Sequence, residues 1–332
     1  MFVIKNSDTR PQYNLALEEY LCLKSLREGA RFFMLWRNEP SIIVGRFQNT
    51  LSEINAPFVE ERKIHVVRRN SGGGAVYHDL ENINYSFIAP DDAGDFNFSF
   101  FTRPIITALA SLGVNAEVSG RNDIAIDGRK VSGGAQFRRS GDGCASVTLH
   151  HGTLLYDTDL ETLGQALCPP EDKYKDKAVK SARARVANIK PFLAEPLTAV
   201  EFMTRLENEI HARRPATLCA QELVEVESLK TEKYSSWEWN YGASPRFTER
   251  KRARFAWGGV EAFLVVDGGK ITECSFRGDY FGGGDYAPLL SRVLGCPYTK
   301  SGVSAACAGV KTDGAFYGST AEDIISLLSP EI

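Results

Sequence analysis

The sequence predicts an α/β (α+β) protein, in which helices pack on a mixed, mostly antiparallel sheet and a small second α+β domain follows. Strand-like runs lie close together and few helices interrupt them, whereas a doubly wound parallel sheet would need regular alternation of strand and helix. Near 237–247 the segment WEWNYGASPRF is aromatic and turn-rich, and the basic run RKRAR follows it. The 332 residues are therefore expected to form domains at 1–246 and 247–332.

The first elements follow from the spacing of apolar residues. Phe2–Ile4 is predicted to be a short strand. Asn14–Leu26 is predicted to be a helix with Glu18 and Glu19 on its outer side. The runs RFFMLWRN and SIIVGRF are rich in β-branched and aromatic residues, and Glu39-Pro40 separates them, which is typical of a hairpin.

The later elements follow from the same two periodicities and from the turns between them. Asp127-Gly128 is predicted to be a two-residue hairpin turn. Further strands are expected at HVVRR, AVYHD, NYSFIAP, 123–126, 129–131, SVTLHHGTLLYD and VEAFLVVDGGKITECSF. Further helices are expected at 58–63, 100–112, 195–213, 286–293 and 320–328.

Composition excludes several classes of protein. The formal net charge is −3, which argues against duplex nucleic acid as the main partner because phosphates require a surplus of Lys and Arg. The seven cysteines are scattered and never form CxxC, so neither a disulfide framework nor a structural zinc site is expected. No apolar run is long enough to cross a membrane and no secretory signal is recognised. We therefore expect no membrane association and a cytoplasmic location.

The strongest local feature is the segment RRNSGGGAVYHD at 68–79. Three successive glycines let backbone N–H groups approach a ligand closely, and the two arginines before them can bind phosphate or carboxylate oxygens. The segment matches neither a P-loop nor a dinucleotide fingerprint. A flexible turn beside solvated arginines is the alternative interpretation.

A second segment, RNDIAIDGRKVSGGA at 121–135, places a lysine between a strand that carries an aspartate and a Gly-Gly turn. Lys130 could hold a positive charge where a phosphoryl or acyl oxygen becomes negative, although a lone lysine is more often a surface charge. The small residues after it would leave space for a ligand.

A third segment, HHGTLL at 150–155, should direct His151 and Thr153 to one face of a strand and His150 to the other. Alone, this pattern is more often structural than catalytic. Cys144 could be a nucleophile only with a base beside it. The basic stretch 173–177 and 180–189 is typical of a solvated loop, and it could also dock an acidic protein.

Together these segments resemble the lipoate–protein ligase family. The matching pieces are RRNSGGGAVYHD, GRNDIAIDGRKVSGGAQ, HHGTLL, the Lys-rich SARARVANI stretch and WEWNYGASPRF, in the order of that family. The resemblance implies the biotin/lipoate protein ligase catalytic fold, related to the catalytic domains of class II aminoacyl-tRNA synthetases. It also implies the small C-terminal accessory domain of full-length bacterial ligases.

The activity implied by this resemblance has two steps. Lipoate and ATP, with Mg²⁺ accompanying the ATP, give lipoyl-AMP and pyrophosphate. The lipoyl group then passes to one lysine of a lipoyl domain, in E2 subunits or in the glycine cleavage H protein. The protein is expected to act as a monomer, with no metal ligand of its own assigned.

The resemblance also assigns roles to individual residues. Lys130 is the implied catalytic residue and contacts both lipoate and the phosphate. The implied ATP and adenylate contacts are Arg69, Gly74, Ala75, Val76, Tyr77, Asp123 and Lys130. The implied lipoate contacts are Ser71, Gly72, Gly73, Lys130, His151 and Thr153, with His78, Asp79 and Asn82 in support.

Two positions depart from the family pattern. Glu81 stands where HDxGN has glycine, and Gly134 replaces the commoner Ser or Asn of KVSG[SN]A. Both affect the expected shape of the pocket, and neither removes a charged catalytic group.

Other functions remain open from the sequence alone. An octanoyl- or lipoyl-transferring acyltransferase on the same fold would not make the adenylate, and an octanoyl enzyme would use a cysteine such as Cys144. A non-catalytic module should have lost Lys130 or the Arg69 segment, and both are present. A biotin ligase should carry a basic GRGR-type loop, which is not seen.

Overall fold

A computed structural model of the chain describes residues 1–90, 97–120, 122–141, 145–167, 186–210, 214–241 and 248–330. By their contacts the residues form two units, which we call the N-terminal unit (1–44, 50–70 and 76–240) and the C-terminal unit (45–49, 71–75 and 241–332). Cys144, most of the basic stretch and the expected domain boundary near 247 lie outside the described residues. The boundary therefore stays a prediction.

The N-terminal unit is built on an eight-stranded mixed sheet. Its strand order is β11-β1-β2-β6-β10-β9-β8-β7. The strands are β1 (Phe2–Ile4), β2 (Phe32–Trp36), β6 (Asn82–Pro90), β7 (Glu117–Ser119), β8 (Asp123–Ile126), β9 (Arg129–Ser140), β10 (Ser146–Leu155) and β11 (Arg214–Ala216). β1 runs parallel to β2 and β11, and the other pairs are antiparallel. The predicted class of fold is confirmed.

The turn between β8 and β9 follows directly from its two residues. Asp127 and Gly128 have φ of 49° and 71°, the pair of positive values that a tight type I′ hairpin turn requires. The predicted hairpin is therefore confirmed, and β9 is longer than expected. Gly133 and Gly134 lie inside this strand, so the predicted Gly-Gly turn is wrong.

A second sheet of the same unit holds three short strands, in the order β4 (His65–Arg68), β3 (Ser41–Val44) and β5 (Val76–His78). β3 is parallel to β4 and antiparallel to β5. The predicted β2–β3 hairpin is wrong, because the two strands belong to different sheets. Both runs are completely buried, so their composition could not show that they separate after Glu39-Pro40.

Helices cover both faces of the large sheet. They are α1 (Pro11–Glu28), α2 (Thr50–Glu53), α3 (Ala56–Glu61), α4 (Phe98–Ser111), α5 (Leu160–Ala166), α6 (Ala199–Glu209), α7 (Ala220–Leu229) and α8 (Trp237–Asn240). One apolar core packs under α4 and α6 and another under α1 and α7. We call the corresponding sides of the sheet the α4 face and the α1 face. α7 was not predicted from the sequence.

The two ends of α1 have local causes. Pro11 occupies its first turn, where the missing N–H costs nothing. Gly29 ends it in the left-handed conformation at φ 66°, and its N–H donates to the carbonyl of Ser25. Glu18 and Glu19 are 2% and 6% exposed, so the prediction that they lie on the outside is wrong. Their partners come from distant segments and are described below.

The C-terminal unit contains an antiparallel sheet of β12 (Glu249–Phe255), β13 (Gly258–Asp267) and β14 (Lys270–Gly278). The predicted hairpin over VEAFLVVDGGKITECSF is β13–β14. Its helices are α9 (Ala287–Val293), α10 (Lys300–Cys307) and α11 (Ala321–Leu328), and they enclose an apolar core with the sheet. α10 was not predicted.

No helix within the described ranges is long and apolar enough to cross a membrane. The five cysteines in those ranges are free thiols, at positions 22, 219, 274, 296 and 307.

Candidate functional site

The β8–β9 hairpin brings Lys130 and Asp123 together on the N-terminal unit. The Lys130 Nζ lies 2.8 Å from the Asp123 Oδ1, and the lysine side chain is 41% exposed. A Cβ at Gly133 would lie 3.0 Å from the same Nζ. The lysine therefore runs across the space that the glycine leaves, and its ammonium faces solvent while paired with a carboxylate.

The backbone around this pair is held from two sides. The N–H of Gly133 donates to Thr153 Oγ1 at 3.3 Å, so β9 and β10 join next to the lysine. The N–H of Ala187 donates to the carbonyl of Lys130 at 2.9 Å. Val186 and Ala187 are the described end of the SARARVANI stretch, which thus reaches the lysine backbone. No pattern in the sequence indicates that contact.

His151 faces α1 and contacts a buried carboxylate. Its Nδ1 lies 2.9 and 3.0 Å from the two oxygens of Glu18. Ser86 donates its hydroxyl to Glu18 at 2.6 Å, and the indole N–H of Trp36 donates to Ser86 Oγ at 2.8 Å. A buried carboxylate needs such partners. This chain of contacts fixes the ring of His151 on the α1 face.

Sequence reasoning missed Glu18, although a signal was present. Leu15, Leu17, Tyr20 and Leu21 are apolar around it, so little of α1 remains for a solvated face. Two acidic residues inside so apolar a helix indicate buried partners rather than exposure.

His150 points to the α4 face, as the alternation of β10 predicts. Its ring stacks on Phe101 at a centroid distance of 5.2 Å and on Tyr85 at 5.8 Å. Its Nδ1 lies 3.0 Å from Gln136 Nε2. Burial lowers the pKa of His150 to about 3, so the ring is neutral at pH 7. This environment is that of a core histidine.

His78, at the end of β5, is also buried and neutral. Burial and the nearby Arg69 and His151 lower its pKa to about 3. The side-chain amide of Asn38 donates to His78 Nδ1 at 3.0 Å, which leaves the ring proton on Nε2. Within the described residues Nε2 has no hydrogen-bond partner.

Arg69 follows β4 and is 5% exposed. Its Nη1 donates to the carbonyl of Ile43 at 3.0 Å, and its backbone N–H donates to the carbonyl of Val44 at 3.0 Å. Burial lowers the pKa of Arg69 to about 10, and Glu18 opposes that shift. The guanidinium therefore stays charged at neutral pH and keeps a fixed cation beside β3.

The contacts of Tyr77 and Asp79 are with the protein itself. Tyr77 is 4% exposed, and burial, followed by the charge of Asp79, raises its pKa. Asp79 accepts backbone N–H groups from Glu81 at 3.0 Å and from Asp159 at 2.9 Å. These bonds shape the turn before Asn82. Glu81 has no positive φ, so glycine is not required there.

Asn82 and Gly134 also have defined surroundings. The amide of Asn82 donates to Asn84 Oδ1 at 3.0 Å, and Asn84 Nδ2 lies 3.5 Å from His78 Nδ1. Asn82 thus contributes indirectly to the histidine. A Cβ at Gly134 would lie 3.1 Å from the carbonyl of Asn122, so a larger residue here would require a small shift of that carbonyl.

The glycine loop itself belongs to the C-terminal unit. The N–H of Gly73 donates to the carbonyl of Tyr280 at 3.1 Å. A Cβ at Gly72 would lie 2.2 Å from that carbonyl oxygen, so the chain's own backbone requires this glycine. The carbonyl of Ser71 accepts from the N–H of Arg46 at 2.8 Å. Gly74 is exposed, and Ala75 is half-buried.

The structure thus brings several predicted residues together on the N-terminal unit. Lys130, Asp123, Thr153 and His151 share the α1 face of β8, β9 and β10. Arg69 and His78 interact electrostatically with each other, and His78 also with His151. Ser71, Gly72, Gly73, Gly74 and Ala75 form part of the other unit.

Comparison with known families covers most of the chain. The model of the lipoyl protein ligase A/B catalytic domain matches residues 10–211. The model of the bacterial lipoate protein ligase C-terminus matches residues 244–328. The segment 212–243, with α7 and α8, lies between the two matches.

Individual relatives agree with these models. The chain is 41% identical to the lipoate-protein ligase LplJ of Bacillus subtilis over 99% of each sequence. Among solved structures, LipL1 of P. falciparum in complex with lipoate has a TM-score of 0.76 at 26% identity, covering 93% of this chain and 94% of that one.

Two further structures carry other components of a lipoylation reaction. The bipartite lipoate protein ligase of Thermoplasma acidophilum, described together with its E2 lipoyl domain, has a TM-score of 0.65 at 28% identity, covering 75% and 98% of the two chains. A lipoate-protein ligase A bound with ATP has a TM-score of 0.60 at 26% identity, covering 73% and 98%.

Proposed function

This chain belongs to the lipoate–protein ligase family, and from that premise we propose that it makes lipoyl-AMP from lipoate and ATP and transfers the lipoyl group to a protein lysine. The observation that carries the proposal is the Lys130–Asp123 pair, which lies on the same sheet face as His151 and Thr153. The lysine is anchored, cationic and exposed enough to meet a ligand.

In the first step a carboxylate oxygen of lipoate attacks the α-phosphorus of ATP. The bond to the β-phosphate breaks, and pyrophosphate leaves. Both reactants are anions, so their approach needs fixed positive charge. Lys130 would contact the carboxylate and the α-phosphate, and Arg69 would stabilise the phosphoryl oxygens. Asp123 holds the lysine ammonium in place for both contacts.

In the second step the amine of the acceptor lysine attacks the carbonyl carbon of lipoyl-AMP. An amide bond forms, the bond to AMP breaks, and the amine loses a proton. Lys130 would again face the mixed anhydride and stabilise the negative charge on its oxygens. Ser71, Gly72, Gly73, His151 and Thr153 are proposed to line the lipoate site, and Gly74, Ala75, Val76 and Tyr77 the ATP site.

Mg²⁺ is proposed to enter with ATP and to neutralise part of its phosphate charge. Within the described ranges no group of three or more His, Cys, Asp or Glu side chains could hold a metal ion, and Asp123 is engaged by Lys130. No protein ligand of the ion is proposed.

The acceptors are proposed to be lipoyl domains, of E2 subunits or of the glycine cleavage H protein. The support is the family itself and the relative described with an E2 lipoyl domain. We also propose that the protein works as a cytoplasmic monomer, with domains at 1–246 and 247–332.

The test is pyrophosphate release with lipoate and ATP. The wild type should release pyrophosphate only when lipoate is present, and Lys130→Ala should lower the rate by at least about a hundredfold. Lys190→Ala is the matched control, because Lys190 forms a similar pair with Asp157 at 2.6 Å and is 39% exposed. That control should leave the rate unchanged.

A second arm separates the ligase from a transferase on the same fold. Synthetic lipoyl-AMP and a lipoyl domain are supplied without ATP. Transfer under these conditions, with no pyrophosphate release from lipoate and ATP, would exclude the ligase and establish the transferase.

A further inference from the structure

The strand end that leads into the glycine loop is held by a segment far along the chain. The indole N–H of Trp239 donates to the carbonyl of Arg68 at 2.8 Å. The N–H of Arg68 donates to Asn240 Oδ1 at 2.9 Å, and its Nε donates to the carbonyl of Trp239 at 2.8 Å. Both backbone polar groups of Arg68 are thus fixed by two adjacent residues of α8.

Asn70, two residues later, is held by the same segment. Its Nδ2 donates to Tyr234 Oη at 2.7 Å, and Lys233 Nζ donates to its Oδ1 at 2.9 Å. Nδ2 also lies 3.2 Å from Glu19 Oε2. Asn70 is 7% exposed, so its side chain has no room to change these partners. The next residue along the chain is Ser71.

Glu19 is the charged centre of this arrangement. Lys233 Nζ lies 2.6 Å from its Oε2, Tyr234 Oη lies 2.7 Å from the same oxygen, and Arg139 Nη1 lies 2.9 Å from Oε1. Burial alone would raise the pKa of Glu19, but Lys233 and the hydrogen bonds lower it below its usual value. A buried carboxylate with two cations and several donors is strongly held.

The backbone between α7 and α8 makes this possible. After Leu229 the chain takes a π-helical turn over Lys230–Tyr234, in which the N–H of Ser235 donates to the carbonyl of Lys230 at 2.8 Å. Such turns are rare and occur frequently at functional sites. Here Lys233 Nζ and Tyr234 Oη contact the same oxygen of Glu19. Lys233 Nζ also lies 4.1 Å from the centroid of the Trp239 ring.

We propose that Lys230–Asn240, which we call the clasp, is a positioning element of the ligase that fixes Arg68–Asn70 and so sets the geometry of Arg69 and the entry to the glycine loop. The inference rests on the proposed function for its kinetic part. The proposal gives a role to WEWN, the first four residues of the WEWNYGASPRF segment. The mechanism above gives these residues no role. The clasp also lies between the two matched family domains.

The clasp should act on substrate binding because its contacts end one residue before and one residue after the position of Arg69. A shift of groups that bind a substrate equally in the ground state and in the transition state weakens its binding without changing the turnover of bound substrate. Loss of a clasp hydrogen bond should therefore raise KM for ATP or lipoate and change kcat little. It should also let the backbone at 69–74 open more often.

The experiment compares three substitutions, each of which leaves an aromatic ring at its position. Tyr234→Phe removes the hydroxyl that reaches Asn70 and Glu19, and Trp239→Phe removes the donor to Arg68. Tyr20→Phe is the matched control, because Tyr20 is 2% exposed on α1 and its hydroxyl contacts Glu222 of α7 at 3.1 Å, away from Arg68–Asn70. Each protein is studied by amide hydrogen exchange and by pyrophosphate release.

We expect amide exchange in peptides covering 66–75 to rise about tenfold in Tyr234→Phe and Trp239→Phe. KM for ATP or lipoate should rise about five- to tenfold in both, with kcat within twofold of the wild type. Tyr20→Phe should match the wild type in both measurements. If Trp239→Phe does not fold, Tyr234→Phe alone decides.

Unchanged exchange at 66–75 in a folded Tyr234→Phe would overturn the proposal, and so would an equal increase in Tyr20→Phe. Exchange is measured without substrates, so it tests the clasp even if the wild type releases no pyrophosphate. A wild type that releases no pyrophosphate would contradict the proposed function and leave the clasp proposal standing.

Discussion

Two neighbouring residues of β10, His150 and His151, lie on opposite faces of the eight-stranded sheet and have different surroundings. On the α4 face, His150 lies neutral among Phe98, Phe101 and Tyr85. On the α1 face, His151 contacts the carboxylate of Glu18. One residue of displacement along a strand therefore separates a core side chain from a side chain of the candidate site.

The glycines of the two faces differ in the same way. Gly152 lies against the fully buried ring of Tyr85 on the α4 face, and Gly133 lies under the flexible side chain of Lys130 on the α1 face. The α4 face should therefore control folding stability and the α1 face should control activity. The predictions below test this division, in order of decreasing effect on the free energy of unfolding.

Gly152→Ala should have the largest effect. Its Cβ would lie 2.3 Å from Tyr85 Oη and 2.4 Å from Cζ, and the ring has no space to withdraw. We expect the free energy of unfolding to fall by about 3 kcal/mol, measured by urea denaturation. Adding Tyr85→Leu to the same chain should recover most of the loss. Equal stability of Gly152→Ala and wild type would contradict the division.

Acid should destabilise the protein through its buried histidines. The pKa of His150 is lowered to about 3, whereas an unfolded histidine titrates near pH 6.5. Between these values the unfolded chain binds more protons, so stability falls as pH falls. Each such histidine contributes up to about 1.4 kcal/mol per pH unit, or about 2 kcal/mol between pH 6.5 and pH 5.

His78 has the same lowered pKa and should contribute in parallel. Replacing one of the two histidines isolates its contribution to the pH dependence of the free energy of unfolding. His150→Gln should reduce the slope of unfolding free energy against pH by the equivalent of about one proton near pH 5 and about half a proton at pH 6.5, whatever its effect on stability at pH 7. The slope is measured by urea denaturation between pH 5 and pH 7, and an unchanged slope would show that His150 is not buried neutral.

Gly133→Ala should change stability by less than about 1 kcal/mol. Its Cβ would lie 3.0 Å from Lys130 Nζ, and this partly exposed side chain can move away. The movement should separate Lys130 from Asp123, so we expect pyrophosphate release to fall roughly tenfold. A large loss of stability with normal activity would reverse the assignment of the two faces.

Thr153→Val should have the smallest effect. It removes the hydroxyl that accepts from the N–H of Gly133 at 3.3 Å, a long bond at a half-buried position. We expect a loss of about 0.5 kcal/mol or less in thermal or urea unfolding. If lipoate contacts Thr153 as proposed, KM for lipoate should still change, and an unchanged KM would remove Thr153 from the site.

The sequence allowed local features to be predicted, because local chemistry decides them. Asp127-Gly128 dictates a tight hairpin, and that hairpin places Asp123 beside Lys130. Alternation along β10 correctly separates His150 from His151. The prediction of a hairpin at Glu39-Pro40 is wrong, because two equally apolar runs do not show which sheet each strand joins.

Other features depend on contacts between distant segments. The apolar residues around Glu18 and Glu19 indicate burial, but the partners His151, Arg139 and Lys233 come from distant segments that the sequence does not connect with α1. The π-helical turn at Lys230–Tyr234 has no pattern of its own in the sequence. The hydrogen bond from Ala187 to Lys130 joins residues far apart in the chain, and periodicity carries no information about it.

Gly72 and Gly74 offer unequal opportunities for redesign. The carbonyl oxygen of Tyr280 lies where a Cβ of Gly72 would stand, whereas within the described ranges no atom beyond its two chain neighbours lies within 4 Å of a Cβ at Gly74. A mutagenesis library built in this loop would lose nearly every member altered at position 72 to misfolding. Diversity placed at position 74 would survive, so two positions of one loop, separated only by Gly73, differ in their evolvability.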